Sequence, residues 1–242
     1  MIIDTHSHLN FKSFDTDREE SISRTQKEGV VCIDVGTKYE TSKNAVKLAE
    51  NNKNIFSAIG LHPIHIDERF DKEKYKELAK SEKVVAIGEI GLDAKYPNKN
   101  QKEIFIEQLD LAKELNLPVI VHCRMAFEDL YEILKNYKLY GVIHCFTGNL
   151  KQAKKFVDLG FYLGINGIID KMDLKKVIEN ISLEKILVET DCPYLTPKSE
   201  GEKRNEPIFV KHVIQKIADI KKMSFDEVAN QTTKNAKELF KI

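Results

Sequence analysis

Val84-Val85-Ala86-Ile87-Gly88-Glu89-Ile90 is the clearest guide to the architecture of this 242-residue chain. The run is apolar and rich in β-branched residues, and it carries one carboxylate near its end. A strand that is apolar on both faces must be buried on both sides, which is typical of a parallel sheet covered by helices. The run therefore predicts a buried strand of a parallel sheet.

Similar runs recur along the chain, and a longer, charged, amphipathic segment follows each of them. The eight predicted strands are Met1 to Asp4, Val30 to Val35, Ile55 to Leu61, Val84 to Ile90, Pro118 to His122, Gly141 to Cys145, Phe161 to Ile165, and Ile186 to Val188. Their ends lie roughly 20 to 30 residues apart, as in βα units. We therefore predict an α/β fold, a single-domain (β/α)8 TIM-type barrel over residues 1–242. Periodicity alone leaves an open, doubly wound sheet as the alternative.

The charge balance argues against a large nucleic-acid-binding surface. Basic and acidic residues both number 38, so the formal net charge is zero and no global field draws the protein toward an anionic polymer or a membrane. Any such affinity must be local. The first residues show no basic region followed by an apolar stretch, and no window reaches the length of a membrane span. We predict a cytoplasmic protein without a membrane partner.

The first predicted strand runs into Asp4-Thr5-His6-Ser7-His8. The two-residue period of a strand places Asp4, His6 and His8 on one side, and two adjacent imidazoles form a bidentate cation site. Glu89 leaves an apolar strand, where an unpaired carboxylate would be costly and so needs a partner. A metal is one such partner, and a buried Lys or Arg is the structural alternative.

Three more potential ligands stand at other strand ends. His122 and His144 each end a short apolar run, and Asp191 follows another. Each alone has a structural alternative, a core histidine or a cap. A barrel, however, brings the carboxyl ends of its strands to one mouth, where these side chains would converge. The predicted metal ligands are His6, His8, Glu89, His122, His144 and Asp191.

Six ligands exceed the needs of one tetrahedral ion, whereas two ions that share Glu89 would use them all. Imidazole and carboxylate ligands without a thiolate favour borderline or hard divalent ions. We therefore predict two divalent metal ions, of Mg, Mn or Zn.

At these residues the sequence resembles the TatD family of metal-dependent deoxyribonucleases. The motifs that carry the resemblance span nearly the whole chain in order: Asp4-Thr5-His6-Ser7-His8-Leu9, Gly60-Leu61-His62-Pro63, Gly88-Glu89-Ile90-Gly91-Leu92-Asp93, His122-Cys123-Arg124, His144-Cys145-Phe146-Thr147-Gly148, Glu189-Thr190-Asp191-Cys192-Pro193-Tyr194-Leu195 and Arg204-Asn205-Glu206-Pro207. The sequence departs from the family pattern at Met125, where an acidic residue is common. This departure affects a polar contact of that loop and leaves the metal ligands unaffected.

The resemblance implies a TIM-type barrel that hydrolyses phosphodiester bonds in DNA. It implies that His6, His8 and Asp191 hold one ion and that Glu89 bridges to a second. It further implies that the second ion is held by His122 and His144.

We predict that Asp191, Glu89 and His62 are catalytic, with Asp191 accepting or orienting the proton of an attacking water. His62, Arg124 and Arg204 are predicted to contact the substrate phosphate. The alternative is a loop histidine for His62 and a structural salt bridge for each arginine. Asp4 is predicted to orient a ligand from behind.

Three other functions stay open at this point. An amidohydrolase or ester hydrolase, such as a D-aminoacyl-tRNA deacylase, would use a similar centre, although that superfamily often bridges its metals with a modified lysine where this chain has Glu89. A metal-stabilised barrel could act as a binding partner without catalysis. A PHP-type phosphoesterase shares the opening His-x-His motif but has a seven-stranded barrel.

Overall fold

The computed structural model describes residues 1–65, 67–98 and 100–242. Eight strands form one parallel sheet in which neighbours along the chain are also neighbours in space. The strands are β1 (Ile2–Ser7), β2 (Val30–Val35), β3 (Ile55–Ile59), β4 (Val84–Asp93), β5 (Val119–Arg124), β6 (Gly141–Ile143), β7 (Tyr162–Ile165) and β8 (Ile186–Val188).

The chain beyond β8 returns to β1 and nearly closes the barrel. Ser7 forms an isolated parallel bridge with Cys192. The Asp191 N–H donates to the His6 carbonyl at 2.8 Å, and the His8 N–H donates to the Cys192 carbonyl at 2.8 Å. The eight-stranded TIM-type barrel predicted from the βα spacing is confirmed. The open sheet and the seven-stranded alternative are therefore wrong.

Helices alternate with the strands and bury the apolar outer face of the barrel. They are α1 (Arg18–Lys27), α2 (Tyr39–Asn51), α3 (Lys72–Leu78), α4 (Gln101–Leu115), α5 (Phe127–Leu134), α6 (Leu150–Asp158), α7 (Lys175–Asn180), α8 (Val210–Lys221) and α9 (Phe225–Phe240). Leu239 and Phe240 of α9 join a buried cluster with Ile3 and Val85, from the first halves of β1 and β4. Helix α9 thus covers the amino-terminal end of the barrel. Within the described ranges, no helix is both long and apolar enough to cross a bilayer.

Two strands extend further than the apolar pattern predicts. β1 continues through Ser7, and β4 continues to Asp93, which pairs with Arg124 of β5. The apolar run stops where side chains reach the polar mouth, but ladder pairing belongs to the backbone and continues past that point. The candidate ligands His6 and Glu89 lie inside these strands, each at a shift in the pairing register, and the paired residues on both sides hold them more rigidly than loops would.

Candidate metal centre

Glu89 lies at the middle of the carboxyl-terminal mouth. Its Oε1 is 3.0 Å from His122 Nδ1, 3.2 Å from His144 Nε2 and 3.2 Å from His62 Nε2. The Glu89 side chain is only 5% exposed. One carboxylate oxygen thus faces three imidazoles from the ends of β3, β5 and β6.

The other Glu89 oxygen faces the histidines of β1. Glu89 Oε2 is 3.5 Å from His6 Nε2 and 3.8 Å from His8 Nε2. Asp191 Oδ1 lies 3.7 Å from His6 Nε2 and 3.4 Å from His8 Nε2. The barrel therefore brings together all six residues that the sequence singled out as ligands, in two groups that meet at Glu89.

The charge of Glu89 is stabilised by these neighbours. Burial alone would raise the pKa of Glu89, but the surrounding histidines, His62 and His144 foremost, hold it well below its usual value. No lysine or arginine contacts this carboxylate among the described residues. Among the described residues, the alternative of a buried Lys or Arg partner for Glu89 is therefore wrong.

In His8 and His144, a hydrogen bond on the side of the ring away from the mouth fixes the tautomer. It thereby determines that the nitrogen facing the mouth carries the lone pair. His8 Nδ1 is 2.8 Å from the Val35 carbonyl oxygen, and His144 Nδ1 is 3.1 Å from Glu189 Oε1. Because a carbonyl or carboxylate oxygen only accepts, each Nδ1 donates the ring hydrogen. The neutral ring then has its lone pair on Nε2, toward the carboxylates, as metal ligation requires.

His122 shows the same arrangement with its nitrogens exchanged. Its Nε2 is 3.2 Å from Asp93 Oδ2, so Nε2 donates and Nδ1 carries the lone pair. His122 Nδ1 is buried and makes no hydrogen bond, although Glu89 Oε1 is 3.0 Å away. An imidazole lone pair and a carboxylate oxygen that share one buried space are complementary to a cation. The donor set of this chain therefore fits a divalent metal ion.

His62 differs from the other histidines of the cluster. The backbone N–H of Ile64 donates to His62 Nδ1 at 3.1 Å, so the ring hydrogen stands on Nε2, toward Glu89. Burial lowers the pKa of His62 to about 4, and the ring is neutral at pH 7. Although His62 is close enough to Glu89 and His122 to share an ion, it presents a donor there rather than a lone pair.

Glu189 is a residue whose importance the sequence did not reveal. Its fully buried Oε1 accepts from His144 Nδ1 at 3.1 Å, from the Cys145 N–H at 2.8 Å and from Asn166 Nδ2 at 3.0 Å. A Cβ on Gly164 would lie 2.4 Å from Glu189 Oε2, so glycine there makes room for the carboxylate. The available signal was a carboxylate directly after the apolar β8, the same pattern that drew attention to Glu89.

Asp4 supports the centre through the backbone. Its carboxylate accepts from the Thr190 N–H at 2.9 Å and from Thr190 Oγ1 at 2.6 Å, and also from the His6 N–H at 3.3 Å. No imidazole is among these partners. Asp4 therefore ties β1 to the segment that carries Asp191, rather than orienting a ligand ring as predicted.

The two predicted phosphate-binding arginines lie in different places. Arg204 hydrogen-bonds to both carboxylate oxygens of Asp17 at 2.7 Å and to Glu206 Oε1 at 3.1 Å, and its guanidinium lies 4.0 Å from the centre of the Phe14 ring. It does not line the cavity above the cluster, whereas Arg124 does. Arg204 therefore forms the structural salt bridge that was the alternative, and its guanidinium is not placed to contact a phosphate in the cavity.

Known proteins resemble this chain over its full length. The model of the TatD related DNase family matches residues 3–241. A Bacillus subtilis protein named uncharacterized metal-dependent hydrolase YabD is 44% identical, with both chains covered completely. The 3'-5' ssDNA/RNA exonuclease TatD of Pantoea ananatis is 36% identical, with 99% of each chain covered. The crystal structure of the Escherichia coli TatD homolog YJJV superimposes with a TM-score of 0.92 at 33% identity, covering 100% of this chain and 98% of that one.

A TIM-type barrel with a buried His, Glu and Asp cluster at its mouth, together with these relatives, defines a metal-dependent hydrolase. The donor set suits divalent metal ions. Within that class the chain belongs to the TatD related DNase family.

Proposed function

We propose that this hydrolase removes nucleotides from the end of a single-stranded nucleic acid, using two divalent ions bound at the barrel mouth. The observation that carries the proposal is the position of Glu89, whose two oxygens face two separate groups of imidazole nitrogens. The relative from Pantoea ananatis, named as a 3'-5' ssDNA/RNA exonuclease, supports a nucleic-acid substrate attacked from its 3' end.

In this proposal His6, His8 and Asp191 would hold one ion, and Glu89 would be a ligand shared with the other. His122 and His144 complete the second group. Two such ions, when bound, polarise the phosphate and make water a stronger nucleophile at neutral pH. Glu89 and Asp191 cancel only part of the ions' charge, so the mouth attracts phosphate although the chain as a whole is neutral.

The protein's own groups then have distinct roles. The Asp191 side chain is 16% exposed and therefore more accessible than Glu89 at 5%, which suits a group that accepts the proton of the attacking water. His62 Nε2–H is a donor for a phosphate oxygen or for the leaving group. Arg124, exposed at the rim of the cavity, is a partner for a phosphate oxygen.

Removing His62 tests the distinction between a donor and a ligand. We expect His62→Ala to keep the full metal content while kcat falls by about 10²-fold, because one donor to the transition state is lost. His122→Ala, by contrast, should lose one bound ion. Elemental analysis of the metal content beside kcat measures both. Release of an ion from His62→Ala would instead make His62 a ligand.

The proposed function is tested by chelating the protein, restoring Mg, Mn or Zn, and following single-stranded DNA labelled at its 5' end. We expect metal-dependent shortening from the 3' end, absent in Glu89→Ala. D-aminoacyl-tRNA is assayed in parallel. Deacylation without DNA cleavage would favour the ester hydrolase, and tight metal binding without turnover of any ester would favour a non-catalytic barrel.

A further inference from the structure

One wall of the cavity, formed by the segments after β1 and β8, is aromatic. Phe11 lies flat against the His8 ring, with ring centres 4.3 Å apart and an interplanar angle of 12°. Tyr194, which is 56% exposed, meets Phe11 edge to face, with ring centres 6.5 Å apart. Both rings line the cavity together with Asp191. An aromatic surface thus stands directly beside the candidate metal centre.

The cavity has little positive charge from the protein itself. Of the described residues that line it, Arg124 is the one lysine or arginine. Arg124 ends β5, whereas Phe11 and Tyr194 follow β1 and β8 across the barrel. Proteins that hold a long strand through its phosphates use several cations. The part of a substrate beyond the reacting phosphate must therefore be held by other means.

The size of the cavity limits what enters it. Its volume is about 790 Å³, within the range of about 300 to 1,000 Å³ that suits one small ligand. A duplex does not fit into such a space, whereas one or two unpaired nucleotides do. An exposed aromatic ring beside a phosphate-binding centre is the arrangement that binds an unpaired base by stacking.

We infer that the exposed ring of Tyr194, supported by Phe11 at an interplanar angle of 72°, is the stacking platform for the base of the terminal nucleotide whose phosphodiester bond is cut. This inference rests on the proposed function. Stacking is tolerant of base identity, so the platform selects unpaired ends without selecting a sequence. Phe11 is held in place by His8, and Tyr194 supplies the accessible face. Together they substitute for the several cations that the described lining of the cavity does not provide.

The test compares two single-stranded oligonucleotides that differ only in whether the 3'-terminal nucleotide carries a base or is abasic. We expect the wild-type kcat/KM to be about 10- to 100-fold higher for the base-bearing strand. Tyr194→Ala should cleave both strands at the rate of the abasic one, while Tyr194→Phe keeps the preference. Tyr96→Ala, which removes an exposed tyrosine from another part of the cavity lining, should also keep it.

A second measurement does not depend on turnover. A 3'-terminal 2-aminopurine on a strand with phosphorothioate linkages should lose fluorescence on binding the metal-loaded wild type, because stacking quenches it, but not on binding Tyr194→Ala. Equal cleavage of both strands by the wild type, or loss of the preference in Tyr96→Ala instead of Tyr194→Ala, would overturn the platform and leave the proposed function intact. Cleavage of neither strand would count against the proposed function itself.

Discussion

Asp191→Asn should lower kcat by about 10²- to 10⁴-fold, the range attributed to a positioned general base. Burial alone would raise the pKa of Asp191, but the hydrogen bond with His8 and the neighbouring histidines hold it below its usual value. The carboxylate is therefore ionised at neutral pH and available to accept a proton. Asparagine keeps the size and one oxygen of the side chain but removes that capacity.

The backbone makes this substitution a clean one. Asp191 has a φ of 57°, in the left-handed region, which asparagine adopts at least as readily as aspartate. Its N–H donates to the His6 carbonyl whatever the side chain. The melting temperature and the metal content at saturating metal serve as controls. A variant that binds metal normally and turns over at nearly the wild-type rate would remove Asp191 from the proton-transfer role.

Glu89→Gln should lose about 10³-fold or more in kcat/KM together with the tight binding of at least one ion. The substitution preserves the volume but removes the single negative charge that faces both groups of histidines. A bridging ligand contributes several kcal/mol, and each 1.36 kcal/mol corresponds to about tenfold in rate. Kinetics at increasing metal concentration measure the loss.

Thermal unfolding separates loss of metal from loss of fold. A ligand that binds only the native state stabilises it by about 2.7 kcal/mol at 100 times its dissociation constant. Added Mn should therefore raise the melting temperature of the wild type markedly and that of Glu89→Gln much less. Glu114→Gln, which alters an exposed carboxylate paired with Lys76, is the matched control and should respond as the wild type does. An equal metal response in Glu89→Gln would rule out Glu89 as the bridge.

The predicted ligands could be located from the sequence because each stands where an apolar run ends. Glu89 lies within β4 at the end of its apolar run, His144 directly follows β6, and the parallel order of the barrel brings such positions to one mouth. Predicting that these side chains converge therefore required only the pattern of strands and the rule that the carboxyl ends of barrel strands meet at one mouth. The position of Arg204 did not follow in this way, because its partner Asp17 is 187 residues away in the chain.

The sequence also did not reveal which nitrogen of each histidine ring faces Glu89. His62 and His122 both follow apolar runs, but the partner that fixes the tautomer is two residues away for His62 and 29 residues away for His122. A backbone N–H makes His62 a donor toward Glu89, whereas the Asp93 carboxylate gives His122 a lone pair there. The same reasoning identifies Glu189 as the partner of His144, although Glu189 is fully buried and distant in sequence.

By itself the sequence determined the strand succession, the family resemblance and the chemical identity of the donors, because periodicity and residue type are local properties of the chain. The tertiary structure alone decided which nitrogen of each imidazole faces the mouth, which arginine lines the cavity and which rings stand beside it. Apart from the Ile64 N–H beside His62, those features depend on the oxygen or ring that a distant segment brings within about 3 to 4 Å, and contacts at that range arise only when the barrel has closed.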